Sequence, residues 1–260
     1  MVLSADHLFT IDLLDVLETH ASRGADLTAV TTQVTGDASR HGVARIGEDG
    51  SIEEFWYKPE DPPTDVVLTE IFCFDGPRLL EALETLPEEV GELSDWGDDL
   101  VPYFVQHRRT VEHRLEGYWR DIGTLASYWE AHIHLLDGDG VTLDDPDWPI
   151  FSAQPQLLPG RVRRTATVHD ALIAQGSDAA GTVVHSVISP GAVVEEGAEV
   201  VDCVVLDDAR IASGVRLRGC IVQDGAPVPG TARCGSAGTV TLVGAAGAVA
   251  EVVEREGQGS

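Results

Sequence analysis

Two aspartates and one lysine are the groups in this sequence best suited to handling a phosphorylated ligand. Lys58 is the single lysine of a chain that otherwise uses arginine, 16 times. It sits in EEFWYKPEDPP (53–63), beside Pro59, which stiffens the backbone. An ammonium is a compact point charge that suits one phosphate, whereas the guanidinium fork needs a different geometry. A surface lysine present by chance is the plainer alternative. Asp6 ends the strand-like start of the chain, and in open α/β sheets ligands bind outside the carboxyl ends of the strands. Asp121, in YWRDIGTLASYW (118–129), stands just before a helix. Either aspartate could instead cap the helix that follows it. Two carboxylates on separate elements can jointly hold Mg²⁺, a hard cation that prefers carboxylate and phosphate oxygens. Gly42 could let a ligand approach the backbone, or could be an ordinary hairpin glycine. His132 and His134 do not share a helix face, which argues against a zinc pair. No serine occupies a G-x-S-x-G elbow.

The elements that must position these groups fall into two halves. In residues 1–137 strands alternate with helices. Strand-like segments are 2–9, 26–34 and 66–75, with a hairpin of 42–45 and 51–55. The spacing of Ile11, Leu14, Leu17 and Ala21 predicts one helix face within 10–23. Further helices are predicted at 78–86, 96–106 and 122–136. This alternation implies an α/β layered domain with a mainly parallel sheet. Residues 138–164, rich in Asp, Pro and Gly, read as a connector. From 165 to 260 the pattern changes. Ile188, Val194, Val200 and Leu206 are spaced by six, and Val205, Ile211 and Leu217 continue that spacing after a shift of one. A six-residue period of inward β-branched residues predicts a parallel β-helix, whose coils bury their faces only against one another. A sandwich of short strands is the alternative.

Composition narrows the function. The formal charge of −27 argues against nucleic acid and against anionic membrane surfaces, both of which need clustered cations. It leaves room for one local cationic pocket. Cys73, Cys203, Cys220 and Cys234 form no C-x-x-C pair, so neither a zinc knuckle nor a redox dithiol is signalled. Buried free thiols in a reducing cytoplasm fit instead. No apolar run is long enough to span a membrane, and the start lacks a basic signal region. No G-x-G-x-x-G or G-x-x-x-x-G-K-[ST] loop lies near the start.

The segments 2–34, 41–63, 94–106 and 118–132 together resemble the bacterial ADP-glucose pyrophosphorylases (glucose-1-phosphate adenylyltransferases). The most specific parts are WRDIGT and KP-x-x-P-P. The six-residue repeat resembles that family's C-terminal left-handed β-helix. The resemblance implies a partial nucleotidyltransferase (Rossmann-like) α/β domain followed by a left-handed parallel β-helix of hexapeptide repeats. It also implies a reaction, ATP plus glucose 1-phosphate giving ADP-glucose and pyrophosphate, in glycogen or other α-glucan synthesis. Asp6 and Asp121 match the family's metal-binding aspartates and imply Mg²⁺. Lys58 matches the lysine that grips the sugar phosphate, and Gly42 a glycine near the sugar. The family's glycine-rich nucleotide loop has no counterpart, which implies an N-terminally truncated member. Tyr57 stands at a substrate-binding position usually held by Glu. Leu68 and Glu70 replace a pocket-lining Ser and Gly, and Asp98 replaces a Lys.

Two other readings stay open. One is a non-catalytic regulatory or scaffolding subunit of the same family, forming homo- or hetero-oligomers through its β-helix. The other is a hexapeptide-repeat acyltransferase using His169 or His185, which would need a long loop leaving the coils.

Overall fold

Short hairpin connections make neighbouring strands antiparallel, and that decides one end of the first sheet, where Gly42–Ile46 pairs with Ile52–Tyr57. In the computed structural model, which describes residues 1–153 and 155–255, the chain divides into two units at Trp119/Arg120. In the first unit β1 (Val2–Leu3), β2 (His7–Phe9), α1 (Leu13–Arg23) and β3 (Leu27–Gln33) are followed by three strands with no helix between them. These are β4 (Gly42–Ile46), β5 (Ile52–Tyr57) and β6 (Val66–Phe74). Then come α2 (Gly76–Val90), a π-helical turn (Trp96–Leu100), α3 (Val101–His107) and β7 (Thr110–Arg114). The sheet order is β5-β4-β6-β3-β7, with β1 added to β6. Only β3 and β7 pair in parallel, and the other pairings are antiparallel. The expected mainly parallel sheet is therefore corrected. Between β3 and β7 the helices α2 and α3 supply a crossover that lets these two strands run in parallel.

Helices cover both faces of this sheet. Leu27, Ala29, Leu68 and Phe72 pack with Ala82 and Leu86 of α2 and Val101 and Phe104 of α3. On the other face Val30, Ile71 and Cys73 pack with Val16 of α1. The apolar stripe read for α1 is also corrected. Val16 is fully buried, while Leu14 is 70% exposed and Leu17 41%. The helix starts at Leu13, capped by Asp12, so Ile11 lies ahead of it. Its inward face is Leu13, Val16, Thr19 and His20.

The second unit holds α4 (Leu125–Asp137) and the repeats. A left-handed parallel β-helix of five stacked coils follows, seen in the five-stranded face that runs from Arg161–Val162 to Pro227–Val228. Partners lie 17 residues apart from Val162 to Ala179, 15 from Ala179 to Val194, and 17 thereafter: Val194 pairs with Ile211 and Ile211 with Val228. Seventeen is one short of three hexapeptides, which explains the shift of one in the sequence repeat. The omitted residue falls at a tight corner, where His185, Asp202 and Gly219 all have positive φ (47°, 52° and 61°). Ile188, Val205 and Val222 form one inward ladder of fully buried side chains. After the corner, Cys203 N–H donates to Ser186 Oγ (3.0 Å) and Cys220 N–H to Cys203 Sγ (3.4 Å). All four cysteines are buried and unpaired, as expected for Cys73, Cys203 and Cys220, and Cys234, left open by its Gly-rich setting, joins them. No helix among the described residues is long and apolar enough to cross a membrane.

Candidate active site

The site in the first unit is organised by an irregular stretch of β6. Between Leu68, opposite Thr31, and Phe72, opposite Ala29, three residues of β6 face a single residue of β3. Thr69 and Ile71 stay buried while Glu70 between them is exposed, at φ +55°. Bulges re-aim side chains and recur beside functional sites. A non-glycine residue in the left-handed region costs roughly 1 kcal/mol. The bulge also sets the loop after β1. Ser4 N–H donates to the Glu70 carbonyl (3.2 Å), and His7 Nδ1 donates to the Thr69 carbonyl (2.9 Å).

Asp6 is thereby presented at the surface, between β1 and β2. Its Oδ1 accepts from Ser4 Oγ at 2.5 Å. That bond holds its pKa below the usual carboxylate value against a small opposing effect of burial, with His7 a minor help. It does not cap α1, since Asp12 accepts from Leu14 N–H. The buried His7 ring places Nε2 3.9 Å from Asp6 Oδ1 and 4.0 Å from Glu70 Oε2.

Trp119 joins this loop to the turn that carries Lys58. Its indole meets the rings of His7 and His41 edge-on, each at 5.3 Å between centroids. The His41 carbonyl in turn accepts from Lys58 N–H (3.1 Å). Lys58, at φ +44°, ends β5 in the left-handed region. Its Nζ sits 4.7 Å from the centre of the Tyr57 ring. The Tyr57 hydroxyl, followed by the charges of Asp95 and Glu70, raises the Lys58 pKa against partial burial. The Tyr57 hydroxyl donates to Asp95 Oδ2. Burial, and then this bond, raise the phenol's pKa, which keeps it neutral. Trp119 Nε1 is buried with no hydrogen-bond partner among the described residues.

The remaining expected residues are placed as follows. Gly42 pairs with Tyr57 across the hairpin, and the space its β-carbon would take is filled by the Phe55 ring (2.7 Å). Leu68 turns into the core and Asp98 is exposed. Asp121 belongs to the second unit, at the end of β8 (Trp119–Asp121) and two residues past Trp119 in the chain. Its Oδ1 accepts from Gly123 N–H (2.7 Å), and Thr124, not Asp121, caps α4. The first unit thus gathers Asp6, Tyr57 and Lys58, while Asp121 lies outside it. His7, Trp119 and Asp95 belong to the site, yet the sequence reading did not single them out. For Trp119 the WRDIGT segment was the available signal; aromatic spacers otherwise look like core residues. His185 of the second unit is engaged by two carboxylates, and His169 is exposed. Among the described residues no long loop leaves the coils between 181 and 222.

A sheet covered by helices on both faces, with Asp6 and Lys58 linked through His7, Trp119 and His41, followed by hexapeptide coils, defines a class. The Nucleotidyl transferase family matches residues 1–138, and the chain belongs to that family. A GlmU-like, C-terminal hexapeptide family matches residues 155–239. Among curated proteins the chain is 35% identical over 213 residues to the glucose-1-phosphate adenylyltransferases of Bacillus thuringiensis (strain Al Hakam) and Bacillus anthracis. The same protein of Bacillus cytotoxicus is 33% identical over an equal length. These alignments cover 81% of this chain and 57% of each relative. The chain therefore spans a little over half the length of the relatives it matches.

Proposed function

We propose that this chain acts as a sugar-1-phosphate nucleotidyltransferase, with glucose 1-phosphate and ATP as substrates and ADP-glucose and pyrophosphate as products, serving glycogen or related α-glucan synthesis. The observation that carries this reading is the arrangement around Trp119, whose indole ties the Asp6 loop through His7 to the Lys58 turn through His41. The reaction forms one P–O bond at the α-phosphorus and breaks another. The protein's work is then positioning and charge neutralisation. Lys58 would hold the sugar phosphate as a point charge. Tyr57 would border the sugar, and Gly42 across the hairpin keeps Tyr57 in register.

Asp6 and Asp121 are the residues we assign to Mg²⁺. Among the described residues no group of three or more His, Cys, Asp or Glu side chains is assembled for a metal. Mg²⁺ takes one or two carboxylates and completes its shell with water and substrate phosphates. The ionised Asp6 carboxylate has the hard oxygen donors required. Mg²⁺, when bound, neutralises phosphate charge and orients it. We further propose that the protein works in a reducing cytoplasm, in line with its four unpaired thiols, and assembles through its β-helix.

A second reading is a non-catalytic regulatory or scaffolding subunit. It is favoured by the altered sugar end, where Tyr57 is committed to Asp95 and the Glu70 charge acts on Lys58. The test is to titrate the chain with glucose 1-phosphate in a calorimeter, and separately to follow pyrophosphate release with ATP and Mg²⁺ present. Binding that Lys58→Ala weakens, together with turnover, supports the first reading. Binding without turnover favours the second, and a folded protein that ignores glucose 1-phosphate refutes the first.

A further inference from the structure

Glu70 is held where the backbone resists it. It is the left-handed residue of a β-bulge, a position at which glycine is unstrained. Its backbone carbonyl accepts from Ser4 N–H, a bond that any residue could provide. What a glycine would lack is the side chain. The carboxylate is about half exposed, with its Oε2 4.0 Å from His7 Nε2. Strain of this kind is retained where a side chain does something for function.

The chemistry of the rim narrows that purpose. Lys58 is its ammonium, and Asp6 and Glu70 are carboxylates that only accept hydrogen bonds. A bare anion would be drawn to Lys58 and repelled by Glu70. A ligand satisfying both must carry hydrogen-bond donors on the same small body as its negative charge. A phosphate bearing ring hydroxyls meets that condition with donors set apart from its charged oxygens, whereas inorganic phosphate carries its P–OH donors on the charged group itself and the triphosphate of a nucleotide is ionised at neutral pH.

We propose that Glu70 is a specificity-determining residue, whose carboxylate accepts hydrogen bonds from the hydroxyls of the sugar phosphate and so separates sugar phosphates from simple phosphates. This rests on the nucleotidyltransferase reading and deepens it.

The test is calorimetric titration of the full chain and of Glu70→Gln and Glu70→Gly with two probes, glucose 1-phosphate and inorganic phosphate. Hydrogen bonds to a charged acceptor set the scale of the loss. Each variant should bind glucose 1-phosphate about tenfold more weakly or worse, while its affinity for inorganic phosphate stays level or rises. Glu70→Gly relieves the bend, so its melting temperature should not fall, and its weaker binding cannot then be ascribed to misfolding. Equal tightening of both probes would mean that the carboxylate merely repels phosphate. That outcome overturns the inference and leaves the nucleotidyltransferase reading standing. If the wild-type chain binds inorganic phosphate no less tightly than glucose 1-phosphate, the inference also falls. If the folded wild type binds neither probe, the parent reading falls with it.

Discussion

The Tyr57 ring is seated against Gly97 so closely that no β-carbon fits between them. Gly97 lies in the π-helical turn capped by Asp95, and Asp95 also accepts the Tyr57 hydroxyl. One turn therefore fixes both ends of the ring, and the ring carries the Lys58 ammonium near its centre. Gly97→Ala should displace the ring at a cost of about 1–3 kcal/mol, the usual range for overpacking. Thermal denaturation and glucose 1-phosphate titration should both register the change. Tyr57→Phe keeps the ring and loses only the bond to Asp95, so it should be milder on both counts. A Gly97→Ala protein that melts and binds like the wild type would show that the ring has another seat.

Lys58→Ala should weaken glucose 1-phosphate binding by roughly ten- to a hundredfold, the worth of a charged hydrogen bond to phosphate. If the chain turns over, the KM for the sugar phosphate should rise far more than that for ATP. Lys58→Arg keeps the charge but brings a planar fork to a left-handed turn, so rescue should be partial. Equal effects on both substrates would remove Lys58 from the sugar-phosphate end.

How much of this was legible in the sequence depended on whether the signal was local. The β-helix was legible because its inward residues repeat, and even the slip of one is the trace of a 17-residue coil. Lys58 was legible because it is alone among arginines. The antiparallel sheet was harder to see, because alternation of element types does not show which strands lack a helix between them. On α1 the regular spacing of Leu14 and Leu17 marked the exposed side, while one residue, Val16, carries the buried side. Trp119 and Asp95 were missed for a similar reason. Each acts through a partner more than 35 positions away, with no spacing rule to announce it.

The inward ladders make a prediction about stability. Ile211 is fully buried between Val194 and Val228 of the neighbouring coils. Ile211→Ala should cost about 2–5 kcal/mol, as cavity-forming core substitutions do. Solenoid stability sums over nearest neighbours, so protection from hydrogen exchange should fall most in the coils on either side. Val162→Ala, at a 55% exposed position on the first coil, should cost less than about 0.5 kcal/mol. Denaturant titration of the two variants checks the contrast, and equal losses would contradict the ladder.

The corner of the β-helix makes a prediction about pH. His185 donates from Nδ1 to Asp202 Oδ1 (2.9 Å) and from Nε2 to Asp137 Oδ1 (3.0 Å), a pattern that needs both nitrogens protonated. Arg218 also faces Asp202, with its Nε 3.7 Å from the second oxygen. Burial works to lower the His185 pKa, but the bonds and charges of Asp202 and Asp137 outweigh it and the net shift is upward. A histidine whose folded pKa exceeds its unfolded value of about 6.5 stabilises the fold fully below that value. The contribution disappears as pH rises through the folded pKa. His185→Gln keeps hydrogen-bonding capacity but not the charge. The melting-temperature advantage of the wild type over this variant should therefore be largest near pH ~5.5, where the carboxylates are still ionised, and should shrink toward pH ~8. A constant gap across that range would mean that the imidazolium charge contributes nothing, and a gap that widens with pH would reverse the assigned protonation.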